Sequence, residues 1–424
     1  MALGEADLLE RLAAACNDDG EFALAARFWT GSLRLDLGAS KADLLLSDGR
    51  VTAVGRAEGD TPVEPGCVAV SAPEAVWEQI LAPVPAPYFN DILPARAAGL
   101  EIDGHTETFW QYYPAVRRAV DLLRAESHRT AVPVSARFDA PVGRYVHLDL
   151  PGPGGETVDH RVYFEEAGEG IPLLCQHTAG AHGSQWRHLF EVPEITDRFR
   201  LIAYDLPYHG KSLPPQAAVW WTTPYRLTLA MAMAVPLALS RALELDRPAF
   251  MGCSIGGLVA LDLARYHPED FRAVVAVEPA LKVEGSLDTL VGFWHPRVSN
   301  EFKAAAMYGL MAPQSPEPLR RETIFVYSQG WPPSFVGDLH LYIDEHDLRD
   351  EAAHIDSRRC AVHLLSGAYD YSATVEHGRA AHEAIAGSTF DAMDEIGHFP
   401  MSENPERFAA HLLAVLGKIS GAAS

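Results

Sequence analysis

The stretch PAFMGCSIGGLVALDLARYHPEDF, Pro248–Phe271, decides the fold. Its opening residues form a short apolar run ending at Gly252, as a buried strand would, and IGGLVALDLARY reads as a helix. Ser254 stands at the junction, inside G-x-S-x-G (Gly252, Ser254, Gly256). A sharp strand-to-helix turn forces its serine into a strained backbone conformation. The residues two before and two after then come too close to carry side chains. Strain of this kind costs about 1–3 kcal/mol and persists where it does something. Here it lifts the serine oxygen clear of the sheet, at the positive end of the following helix. The plainer reading is an ordinary junction in which the serine caps the helix. Strand before and helix after is the context that favours the elbow.

Working outward, IPLLCQ, FRLIAYD, FRAVVAVEP and CAVHLLSG are apolar and strand-sized. Helical stretches separate most of them, as around Tyr225–Leu243 and Ile255–His267. Near-continuous apolar strands with helical crossovers imply an α/β fold, a mostly parallel sheet with helices on both faces. RYVHLDLPG and HRVYFEEAG add a hairpin around PGPGGETVD, where GPGGE is a turn and no Walker lysine follows. Upstream, residues 128–139 read as a linker. Residues 1–127 are patterned differently, with a helical start, then SLRLDL, ADLLLSD, RVTAVGR and CVAVSA, then PEAVWEQILA and a late GLEIDG strand running into a helix. The SDGR turn marks a hairpin, and strands followed by helices suggest a smaller α+β domain.

Of the 424 residues, 48% are hydrophobic and 21% charged, an ordinary globular composition long enough for two or three domains. The net charge of −23, with no basic run, argues against a nucleic-acid partner. The five cysteines are scattered without a C-x-x-C pair, so reduced, buried thiols in a cytoplasmic enzyme are expected. MALGEADLLERLAAACNDDG reads as an amphipathic helix rather than a signal peptide, and no apolar run is long enough to span a bilayer. No metal site is expected. His177 with His182, and His340 with His346, lack the helical i, i+4 spacing with a carboxylate.

With the elbow, the stretches LLCQHTAGAHGSQW and YDLPYHGKS carry a resemblance to the α/β-hydrolase family over roughly residues 140–420. The first is similar to the family's H-G-x-G loop, with Thr178 replacing the first glycine of His177–Gly180; the second matches D-x-P-x-H-G-x-S. The resemblance implies a Ser–acid–His order. A serine hydroxyl needs a base to take its proton, and the base needs an orienting acid. The matching positions are Ser254 as nucleophile, Asp370 in HLLSGAYDYS as acid, and His398 in MDEIGHFPMSENPERF as base. Glu278 sits where some relatives place the acid; His377, His382, Asp391 and Asp394 read as surface, turn or edge groups. Oxyanion donors are expected from the backbone N–H of Ile255 and Ala179, with the Thr178 hydroxyl as a further candidate.

Residues 281–359 form an insertion far longer than an ordinary connection, read as a helical cap or lid. Its aromatics, with the cluster Trp220, Trp221 and Tyr225, suggest a pocket for an apolar or aromatic substrate, with Trp220, Trp221, Trp294 and Trp331 as candidate lining. The reading is a cofactor-free serine hydrolase of an ester or lactone. Two alternatives remain: a hydrolase of a carbon–carbon bond in a diketone-like substrate, or a ligand or lipid carrier that has lost turnover. HTAGAHG lacks the G-G-G-P-G-A-like loop common in the carbon–carbon hydrolases, and serine at the elbow disfavours dehalogenation and epoxide opening. Residues 1–127 resemble the sterol-carrier-protein-like domain through LLLSDGRVTAVGR, VAVSAPEAVWEQIL and GLEIDG, which implies a lipid-sized cavity. The other reading of this block is a structural or homo-oligomerisation domain.

Overall fold

The computed structural model describes residues 6–38, 41–57, 64–124, 139–152, 155–216 and 218–421; the expected linker at 128–139 lies almost wholly outside them. The chain forms two compact units. One comprises Met1–Arg129 with Gly292–Gln314, the other Thr130–Val291 with Ser315–Ser424.

The first unit is built on five strands: β1 (Gly31–Asp36), β2 (Lys41–Ser47), β3 (Arg50–Arg56), β4 (Cys67–Ser71) and β5 (Glu101–Gly104), in the order β3-β2-β1-β4-β5. Neighbours pair antiparallel except β1 with β4. The β2–β3 turn is made by Asp48 and Gly49, both at positive φ, as a tight hairpin of right-handed twist requires. Along β2 the alternation is strict: Ala42, Leu44 and Leu46 are buried and Leu45 is exposed. The helix Thr106–Leu123 receives the segment inserted from far along the chain. Tyr113 packs edge-on against Phe302 at 5.5 Å, the Arg117 guanidinium lies 4.3 Å from the Tyr308 ring, and Asn90 donates to the carbonyl of Gly309 at 2.8 Å.

The second unit carries β6 (Val142–Pro151), β7 (Thr157–Ala167), β8 (Ile171–Gln176), β9 (Phe199–Tyr204), β10 (Ala249–Cys253), β11 (Ala273–Val277), β12 (Ala361–Gly367) and β13 (Thr389–Met393). Their order is β13-β12-β11-β10-β8-β9-β7-β6. Among these strands β7 alone runs opposite to the other seven, pairing antiparallel with β6 and β9. Every residue of β10 and β11 is buried, because helices cover both faces, and this is why these strands are apolar without alternation. Strand order reverses around β8, which lies between β10 and β9. Ligand crevices of open parallel sheets form outside the carboxyl ends of strands at such a reversal. Among the described residues, no helix is long and apolar enough to cross a membrane.

Candidate active site

The carboxyl ends of β8, β10, β11 and β12 deliver His177–Gly180, Ser254, Glu278 and Asp370 to one end of the sheet. At the elbow Ser254 has φ 58° and ψ −115°, and is only 4% exposed. The surrounding glycines follow from close backbone approaches. A Cβ on Gly252 would lie 2.2 Å from the Gly256 oxygen, one on Gly256 2.9 Å from the Gln176 oxygen, and one on Gly257 2.3 Å from the Val277 oxygen. The Ser254 N–H donates to Val277 (2.9 Å), tying the turn to the neighbouring strand.

Asp370 lies just past β12 and His398 past β13. The imidazole Nδ1 donates to Asp370 Oδ2 at 2.6 Å, which leaves Nε2 as the basic nitrogen. Asp370 Oδ1 accepts from the N–H of Ser372 (2.8 Å), its hydroxyl (2.9 Å) and the N–H of Ala373 (3.2 Å). Burial pushes the Asp370 pKa up, but His398 and these donors outweigh it and hold the group below the ordinary aspartate value. His398 is clamped on both sides: the N–H groups of Gly397 (3.1 Å) and Phe399 (3.0 Å) donate to one oxygen of Glu403. The Cys253 thiol donates to the His398 carbonyl at 3.2 Å, fixing the imidazole loop against the residue before the serine. From the cap, Tyr342 reaches in on a π-helical turn, Leu341–Glu345; its phenol lies 3.4 Å from the Ser372 hydroxyl.

Glu278 is fully buried at φ 52°, one residue past β11. Both its carboxyl oxygens lie 2.9 Å from the Gly367 nitrogen, and its carboxyl interacts with that of Asp370. The other candidate groups are engaged elsewhere. His377 closes a capping box with Thr374, His382 bonds Ser388, Asp391 pairs with His411, and Asp394 is exposed.

The loop after β8 is fixed by Gln185 and by residues of the cap. Thr178 donates its N–H (3.1 Å) and hydroxyl (3.0 Å) to Gln185 Oε1, and its hydroxyl also meets that of Tyr327. Thr178 is therefore not a free donor, a correction to the expectation, because the hydroxyl that replaces glycine here is used to bind the cap. The Gly180 N–H donates to Asp338 (2.7 Å), and Gly180 takes φ 64° under Phe335. Among the described residues, the N–H groups of Ala179 and Ile255 have no hydrogen-bond partner within the chain. His177 is neutral: Nδ1 donates to the Thr178 carbonyl, Nε2 accepts from Leu206, and burial pushes its pKa well below the ordinary histidine value. In YDLPYHGKS, Asp205 accepts from the N–H of Gly183 and of Lys211, both at 2.7 Å, so that motif shapes the loop. His209 donates to Asp338 (2.8 Å) and to the Pro207 carbonyl (3.0 Å). Burial pulls its pKa down, yet Asp338 outweighs this and raises it, so the buried pair is ionic.

Trp220 meets Trp221 and Trp331 edge-on at 5.7 and 5.6 Å, with Trp220 and Trp221 43% and 66% exposed. Trp294 belongs to the first unit. Nearer His398, Phe399 lies 4.8 Å from the imidazole and 5.3 Å from Tyr327, which packs edge-on against Phe335.

This sheet order, with a strained serine after its fifth strand, is the α/β-hydrolase fold. Residues 171–374, just under half of the chain, match the family model described as alpha/beta hydrolase fold, and the protein is a hydrolase with that fold. It is 23% identical over 270 residues to a pimeloyl-[acyl-carrier protein] methyl ester esterase of Vibrio vulnificus, covering 61% of this chain and 98% of that protein. It is 24% identical over 267 residues to 3-oxoadipate enol-lactonase 2 of Acinetobacter baylyi, covering 58% and 89%. Among solved structures, a thermophilic esterase from Thermogutta terrifontis superimposes with a TM-score of 0.55 at 20% identity, over 65% of this chain and 99% of that one.

Proposed function

We propose that the protein hydrolyses the ester or lactone bond of an apolar or aromatic substrate through an acyl-enzyme, with Ser254, His398 and Asp370 as the triad. The observation that carries this reading is the 2.6 Å bond from His398 to a buried, ionised Asp370, together with a serine at positive φ whose neighbour Cys253 is bonded to the His398 carbonyl. Asp370 fixes the imidazole tautomer, so Nε2 takes the Ser254 proton as Oγ attacks the carbonyl carbon. The N–H groups of Ala179 and Ile255 receive the oxyanion, each worth about 2.7–4 kcal/mol in the transition state. His398 then protonates the departing alkoxide, and a water deprotonated by the same imidazole releases the acid. Phe399, Tyr327 and Phe335 supply an apolar wall beside the imidazole. The likeness to a methyl ester esterase and an enol-lactonase supports the bond type.

The test is a fluorophosphonate probe followed by peptide mapping, with turnover of short and long acyl esters and lactones. A single adduct on Ser254 is expected, and Ser254→Ala lowers kcat/KM by about 10⁴-fold or more. Turnover that survives Ser254→Ala, or an adduct elsewhere, overturns the reading.

A further inference from the structure

We propose that Glu278 is a positioning residue for the triad: its carboxylic acid donates a hydrogen bond to the carboxylate of Asp370 and holds it toward His398. This rests on the triad reading above. Glu278 follows β11 and Asp370 follows the adjacent, parallel β12, with Val277 opposite Leu365 in the register. The Glu278 N–H donates to Leu365 (2.8 Å) and the Asp370 N–H to the Gly367 carbonyl (3.2 Å), so Gly367 binds both residues. The two carboxyl groups interact, and Glu278 and Asp370 are 0% and 2% exposed. Two buried carboxyls in hydrogen-bond contact share a proton, because both cannot be ionised side by side.

Donor counting says which group keeps it. Asp370 is surrounded by four donors: the His398 Nδ1–H, the Ser372 N–H and hydroxyl, and the Ala373 N–H. Glu278 has the N–H of Gly367, shared between its two oxygens. The proton therefore sits on Glu278. Burial first, then the Asp370 charge, push the Glu278 pKa well above the ordinary glutamate value. The other ionisable groups facing this pocket are the Cys253 thiol, Glu403, the Tyr342 phenol and His398. Glu403 accepts from Gly397, Phe399 and Ser315, so it needs no proton to satisfy its oxygens.

The sign of the pH effect follows. Glu278 is protonated at neutral pH. As pH rises through its raised pKa, a second negative charge appears against Asp370, the hydrogen bond is lost, and the acid is released from its alignment.

The experiment compares Glu278→Gln, which keeps a donor of the same shape, with Glu278→Leu, which has none. Glu278→Gln is expected to keep kcat within about threefold and to lose the alkaline fall-off. Glu278→Leu is expected to lower kcat by about 10–100-fold with KM little changed, the scale of a small misplacement of a reacting group. Infrared spectra of wild type at neutral pH should contain a carboxylic-acid C=O band that Glu278→Gln removes, a readout that needs only the folded wild type and its isostere. Equal kcat and pH profiles for wild type and Glu278→Leu, a Glu278→Gln as slow as the leucine variant, or no such band overturns the inference. Asp370→Asn measured alongside separates the two failures. Full turnover without Asp370 sinks the triad, whereas a slow Asp370→Asn beside an unaffected Glu278→Leu sinks only the role of Glu278.

Discussion

Ser254 holds a backbone conformation that suits glycine. Replacing it by glycine should relieve strain worth about 1–3 kcal/mol, offset in part by the entropy of a freer unfolded chain. Ser254→Gly is thus expected to be inactive yet about 1 kcal/mol more stable than Ser254→Ala, read by chemical denaturation. The elbow was legible because each of its glycines is compelled by a clash that operates within a few residues or against a strand end. Asp370 and His398 were reached through chain order and local motif. Tyr342 and the approach of Glu278 to Asp370 were not, since each meets its partner only after separate strands and the cap have packed, whereas Ser372 lies two residues from the acid it binds and went unnoticed for want of a motif. Thr178 marks the boundary of such reading: the substitution was visible, but its partners Gln185 and Tyr327 lie 7 and 149 residues away.

At the scale of elements, two cap helices are fastened to the loops around the site. Asp338, on Pro332–His340, takes hydrogen bonds from His209, Gly180 and Tyr225. Glu322, on Glu317–Gln329, is gripped by Arg187 (2.6 and 2.7 Å) and His188 (3.1 Å). The two clasps differ in depth, and this sets their worth. Asp338→Ala leaves a buried imidazolium and N–H unmatched and should cost about 3–5 kcal/mol. Glu322→Gln, at a partly exposed pair, should cost about 1 kcal/mol. For Glu322, burial raises the pKa but Arg187 and His188 bring it down to about 2, below its unfolded value. Its contribution is present above the ordinary glutamate range and is lost as pH falls toward 2. Acid titration of Glu322→Gln, followed by circular dichroism, should lose that part of the wild-type slope and no other.

Across the whole molecule, the parallel sheet was readable because its central strands are uninterrupted apolar runs, and β10 and β11 are buried at every residue. The division of the 281–359 insertion was not. Its aromatics announce burial without saying against what, and Phe293 and Phe302 pair within the first unit while Tyr327 and Phe335 pair within the second. A chain shortened to residues 139–424 would keep 292–314 but lose the helix that covers it. Exposing Phe302 and its neighbours forfeits about 1.5–3 kcal/mol per large side chain, so the shortened chain should aggregate in light scattering. Replacing 292–314 in it by a glycine–serine tether should restore solubility.

The return of residues 292–314 to the first unit also sets a timetable. A ribosome releases the amino-terminal sheet early, yet Phe302 and Tyr308, which complete its packing on Tyr113 and Arg117, emerge only after all of 130–291. At about 5–20 residues per second that is a wait of roughly 10–30 s, during which a nascent apolar surface stands open to chaperones. Birth order and folding order are out of step in this chain.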